Sequence, residues 1–161
     1  MAKQLVAEAS SYIQAPIEQV WQVMIDVEKY TEWNPFVVEV KANGAAGSIG
    51  TIMHFTVQWS SGDKQTSAEV VADVQPPYSG ADGIKRAYWC YVFESPLDKV
   101  GMIHATRHQW LEQQEDGRTS YRTQEVFTGW GIAFLPFSKV QDGFERQAAA
   151  LKLRAEALGR V

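Results

Sequence analysis

From Ser138 to the chain end, apolar side chains recur at the spacing of one helix face: Val140, Phe144, Ala148, Leu151, Ala155 and Leu158. Lys139, Asp142, Glu145, Arg146, Lys152, Arg154 and Glu156 fall largely outside that stripe. This is the pattern of a long amphipathic helix. Ser138 followed by Gln141 predicts a capping box at its start. Such a helix must bury its apolar side against another layer, and the chain ahead of it reads mostly as strand. A sheet therefore has to curl around the last helix. Gly143 costs about 1 kcal/mol inside a helix; either it is simply tolerated or it makes room for a ligand or a strand.

Residues 4–14 read as a strand ending at Ala15-Pro16. Pro16 suits a helix start, because the first turn does not need its missing N–H. Ile17, Val20, Trp21 and Met24 follow at helical spacing, and a second short helix over Asp26–Trp33 is broken by Asn34-Pro35. Strands follow at 36–42, 50–60, 64–75, 85–94, 102–114 and 119–129. In 50–60, Met53, Phe55, Val57 and Trp59 share one face, with His54, Thr56 and Gln58 opposite. Ser61-Gly62 marks a hairpin turn, and in the next strand Ala68, Val70, Ala72 and Val74 make the apolar face. Pro76-Pro77 ends that strand, and the stretch through Gly83 reads as a polar loop, part of a pocket lid. In 85–94, Trp89, Tyr91 and Phe93 share a face. Seven hairpin-connected strands, two short helices after the first and one long helix last predict an α+β fold.

A length of 161 residues suits one domain, 1–161. The net charge is −4 without a basic run, which argues against nucleic acid as a partner. The first ten residues lack the apolar core of a secretion signal, and no stretch approaches the roughly 20 apolar residues of a membrane span. A cytoplasmic protein is expected. Cys90 is the only cysteine, so no internal disulfide forms. Six Trp, six Tyr and seven Phe fit a core or pocket with large flat walls.

The hairpin at Asp116-Gly117 carries the sharpest inference. Read as a two-residue type I′ turn, it pairs Glu115 with Arg118. His108 then faces Glu125, Thr106 faces Phe127 and Trp110 faces Thr123. The opposite face would carry Arg107, Gln109, Arg122 and Gln124 and belong in water. By elimination, His108 and Glu125 point inward. A one-residue bulge would undo this register. A buried carboxylate needs a partner, so the pair either orients a ligand's polar end or moves a proton in a hydrated pocket, or is a plain cross-strand ion pair.

The candidate ligand-contacting residues are thus Thr106, His108, Trp110, Glu125 and Phe127 from this hairpin. Phe55, Val57, Trp89 and Tyr91 come from the middle strands, and Trp33, Phe36, Phe137, Val140 and Phe144 from the helical ends. Any one aromatic among them is as readily plain core. His54 reads as solvated and Cys90 as packed. His104 and His108 lie about 13 Å apart along one strand, too far to share an ion, so no metal is expected. No glycine-rich phosphate loop or nucleophile elbow is present, and no cofactor is implied.

Ile13-Gln14-Ala15-Pro16, Val20-Trp21, Asp26, Tyr30 and Trp33-Asn34-Pro35-Phe36 resemble the opening signature of the polyketide cyclase/dehydrase and lipid-transport superfamily, also called SRPBCC or START-like. His108, Gly117-Arg118-Thr119 and Glu125-Val126-Phe127-Thr128-Gly129 resemble its closing hairpin, and Ala150-Leu151-Lys152 with Ala155-Glu156 its last helix. The resemblance covers nearly the whole chain; the middle strands match only in pattern. It implies the helix-grip fold and a deep cavity between sheet and last helix. Members bind lipids, sterols, polyketides or plant hormones, and some catalyse aromatisation or cyclisation. The resemblance carries no catalytic set, because that differs between branches. The expected function is binding of an apolar small molecule. The alternatives are a cyclase, aromatase or dehydratase using His108 and Glu125, and a protein-interaction module with a collapsed cavity.

Overall fold

The computed structural model describes residues 3–159. Strand β1 (Leu5–Ile13) runs into Pro16, which opens helix α1 (Ile17–Ile25). A 3-10 turn (Val27–Lys29) and the one-turn helix α2 (Tyr30–Trp33) follow. Asn34 then redirects the chain: its Oδ1 accepts from the N–H groups of Phe36 and Val37, at 3.0 and 2.9 Å. Strands β2 (Val37–Ala42), β3 (Ile52–Gln58), β4 (Lys64–Ser79) and β5 (Lys85–Glu94) are followed by the one-turn helix α3 (Pro96–Lys99). Strands β6 (His104–Gln113) and β7 (Thr119–Thr128) and helix α4 (Phe137–Leu158) complete the chain.

The seven strands form one antiparallel sheet in the order β1-β7-β6-β5-β4-β3-β2. This is the helix-grip architecture expected from the sequence. Helix α4 lies on the concave face and buries Val140, Phe144, Ala148, Leu151 and Ala155, the predicted stripe, together with Gly143 and Gln147. Leu158, at its end, is exposed.

Several local expectations change. The last helix starts at Phe137 after Pro136, and no side chain caps it. Gln141 instead ties the helix to β1: the Glu8 N–H donates to Gln141 Oε1 at 3.0 Å, and Gln141 Nε2 donates to the Glu8 carbonyl at 2.7 Å. Gly143 makes room for a side chain, since a Cβ there would sit 2.3 Å from the Phe36 ring. Residues 76–79 are no lid. They continue β4, with Tyr78 opposite Arg86 and Ser79 opposite Lys85.

The β6–β7 register differs from the predicted one by a single residue. Gln114 donates to the Arg118 carbonyl, and the Gly117 N–H donates to the Gln114 carbonyl. The loop is therefore three residues, Glu115 to Gly117, with Gly117 at φ +85°. That is a type I turn closed by a left-handed glycine, the bulged hairpin form. Arg107 thus faces Glu125, and His108 faces Gln124. The expected His108–Glu125 pair does not exist.

Candidate functional site

Between the concave face, α4 and two loops lies a cavity of about 160 Å³. Of the residues expected to contact a ligand, Phe36, Phe55, Val57, Tyr91, Glu125, Phe127, Val140 and Phe144 line it. The loop between β5 and β6 contributes Leu97 and Ile103, and the approach to α4 contributes Leu135 and Pro136.

Six expected residues do not line it. Trp89 is buried elsewhere, its Nε1–H donating to the Ala46 carbonyl at 3.0 Å. Trp33 packs edge-on against Tyr30, and Phe137 packs against the core. Thr106, His108 and Trp110 share the outer, convex face with Tyr88, because the bulged turn reverses the parity assigned to β6. There His108 and Trp110 stack 5.2 Å apart, and the Tyr88 hydroxyl lies 2.5 Å from His108 Nδ1. Burial holds the His108 imidazole below its usual pKa.

The polar wall of the cavity is built from Arg107, Glu125 and Glu69. Arg107 is almost wholly buried, yet each side of its guanidinium is engaged. Nε donates to Thr123 Oγ1 at 3.0 Å and Nη2 to Gln147 Oε1 at 3.2 Å. The group lies over the Phe144 ring, 4.0 Å from its centroid, a cation–π contact strengthened by desolvation. Burial would lower its pKa, but the fields of Tyr91, Tyr121 and Glu125 more than offset this, so Arg107 stays charged. Behind it Tyr121 donates to Gln109 Oε1 at 2.6 Å, and Gln109 Nε2 reaches the Tyr91 oxygen at 3.4 Å. Gln109 is fully buried; such an amide is tolerated only when bonded.

Glu125 stands across from Arg107 on β7 and keeps part of its surface open to the cavity. Enclosure by protein pushes its pKa up to about 7, and Arg107 pulls the other way. Glu69, on β4, is 7% exposed. Burial raises its pKa strongly and the charge of Glu125 adds to this, whereas the Ser67 hydrogen bond and Arg107 oppose it. Ser67 Oγ meets Glu69 Oε1 at 3.3 Å, while Glu69 Oε2 is buried with no hydrogen-bond partner among the described residues.

Glu69 and Gln147 escaped the sequence reading, and Arg107 and Gln109, expected on the face turned to water, are buried instead because the register of β6 is shifted by one. The missing signal lies in the β3–β4 hairpin. Opposed residues of an antiparallel pair share a face, and Met53, Phe55 and Val57 sit opposite Glu69, Ser67 and Gln65. Turning Phe55 inward therefore turns Glu69 inward.

The sequence matches the family described as polyketide cyclase / dehydrase and lipid transport over residues 4–156. The chain belongs to this family. Among solved structures it is similar to the Zhui aromatase/cyclase from Streptomyces sp. R1128, at 17% identity, TM-score 0.69, and coverage of 99% of this chain and 98% of that one. It is also similar to the protein XoxI from Bacillus cereus, at 17% identity, TM-score 0.66 and full coverage of both chains. The protein of unknown function SA2116 from Staphylococcus aureus matches at 11% identity and TM-score 0.67, covering 99% and 98%. At these identities the likenesses establish the fold. No curated protein matches the chain in sequence. Among the described residues no helix is long and apolar enough to cross a membrane.

Proposed function

We propose that this protein binds a compact apolar molecule in the cavity under α4, with its polar end against Glu69, Arg107 and Glu125. The observation that carries this reading is an apolar cavity whose few polar groups converge on one wall, the usual composition of a ligand pocket. Its volume of about 160 Å³ sets the scale. Pockets for drug-sized ligands run to roughly 300–1,000 Å³, whereas a cavity of about 150 Å³ takes one benzene. A single-ring molecule fits as the cavity stands; a sterol or long lipid requires the walls to open. An open interior of this kind also speaks against an interaction module with a collapsed cavity.

The test is a thermal-shift series with toluene, indole, a fatty acid and a sterol. The single-ring compounds should raise the melting temperature in proportion to RT ln(1 + [L]/Kd), and filling the cavity by Val140→Phe should abolish the response. An unchanged response in the filled variant would remove this reading.

A catalytic reading is favoured by the place of Glu125, a carboxyl on the cavity wall; enclosure by protein pushes its pKa up to about 7, which suits a general base or acid at neutral pH. His108 has no part in it, since it faces away from the cavity. Deuterium exchange at the acidic carbon of phenylacetone, faster with the wild type than with Glu125→Gln, would support proton transfer. Equal rates would dismiss it.

A further inference from the structure

We infer that the molecule held in this cavity is a cation: a compact aromatic amine whose ammonium group docks on Glu69 inside a ring of aromatic side chains. This rests on the binding reading above and names the chemistry of its ligand.

Three observations converge. The first is the orphaned oxygen. Glu69 lines the cavity, is more than nine-tenths buried, and its Oε2 has no hydrogen-bond partner among the described residues. A buried polar oxygen without a hydrogen-bond partner is costly, and natural cores seldom keep one without a reason. The terminal torsion of a glutamate is broad, so a small rotation presents that oxygen to the cavity.

The second is charge. Two carboxyl groups line the cavity against one cationic side chain, Arg107. That cation is already committed to Thr123, Gln147 and the Phe144 face, with Glu125 opposite it across β6 and β7. Glu69 sits on β4 beside Phe93 and makes no ion pair among the described residues. Ser67 gives it one neutral hydrogen bond. A positive ligand would complete the set. A carboxylate ligand finds no uncommitted cation on this wall, because Arg107 is already engaged.

The third is the surroundings of Glu69. Its cross-strand neighbour on β5 is Phe93, and Phe55 and Tyr91 occupy the diagonal positions on the same face. Phe55 and Tyr91 meet edge to face at 5.4 Å. Aromatic faces around a carboxyl recognise an ammonium by cation–π attraction, which neutral alcohols do not share. Burial raises the pKa of Glu69; an ammonium docking beside it favours the carboxylate, the carboxyl proton leaving to solvent, so that an ammonium–carboxylate pair forms.

The experiment compares four probes of one size by isothermal titration at pH 7.5: benzylamine, benzyl alcohol, toluene and benzoate. Benzylamine should bind about tenfold or more tightly than benzyl alcohol or toluene, as a charge-assisted bond and cation–π contact imply. Benzoate should bind weakest. In Glu69→Gln the benzylamine-to-toluene affinity ratio should fall to about one. If toluene and benzyl alcohol bind as well as benzylamine, or Glu69→Gln keeps the amine preference, the amine assignment fails while the cavity reading stands. If none of the four binds the wild type, both fail.

Discussion

The β6–β7 hairpin has two faces that reverse the usual expectation of what belongs inside. Its concave face carries Arg107, Gln109, Thr123 and Glu125, three of them almost wholly buried. Its convex face carries His108, Trp110 and Gln124, all partly exposed, with Tyr88 of the neighbouring strand stacked beside them. The concave polar groups hydrogen-bond one another, Thr123 with Arg107 and Gln109 with two tyrosines. The outer aromatics cover one another without reaching the core. Polarity therefore does not decide which face of this hairpin points inward; the register of the turn does.

The largest effect expected from breaking this contrast follows Arg107→Leu. It removes the cation from a wall that keeps Glu125, Glu69 and Gln147, and should cost about 3–5 kcal/mol, read from urea unfolding. A loss below about 1 kcal/mol would show that Arg107 is not buried as described.

Next comes pH. Glu125 has a pKa raised from 4.5 to about 7 in the folded protein, so the folded state holds a proton that the unfolded state releases. Its contribution to stability is complete below about pH 4.5 and is lost as pH rises through about 7. Glu125 alone should lower stability on the order of 2 kcal/mol between pH 5 and 8, with Glu69 acting in the same direction, and Glu125→Gln should make the slope shallower by that share. A rise over the same window would contradict the burial.

Gly143→Ala sharpens the comparison from the helix side. Alanine gains about 1 kcal/mol of helix propensity, but its methyl group meets the Phe36 ring, and overpacking costs about 1–3 kcal/mol. A net loss of about 1 kcal/mol and a weaker toluene response are expected; stabilisation would refute the close packing. The smallest effect belongs to His108→Ala on the outer face. It should change stability by less than about 1 kcal/mol and leave ligand-induced melting shifts as they were.

The layer order, the seven strands and the buried stripe of α4 were readable because long apolar periodicities report directly on burial. Both hairpin registers were not, for one physical reason. Ser61-Gly62 and Asp116-Gly117 look like two-residue turns. In each, the glycine instead closes a three-residue loop with φ +95° and +85°. Trp59 accepts from Gly62 as Gln114 accepts from Gly117. One added residue moves every side chain of a strand to the other face. In β4 it turned Ala68 and Val70 outward and brought Glu69 in; in β6 it exchanged His108 for Arg107. A further shift between Val71 and Asp73 let Val74 keep its inward place. Glu125 and the aromatics Phe36, Phe55, Tyr91, Phe127 and Phe144 were legible because their own strands or helix kept the expected parity.

An NMR titration with toluene tests most directly which groups face the ligand, using the Arg107 Nε–H and the His108 Cε1–H as reporters. The account predicts that the Arg107 signal shifts with occupancy while the His108 signal stays in place. Movement of His108 with a silent Arg107 would contradict it.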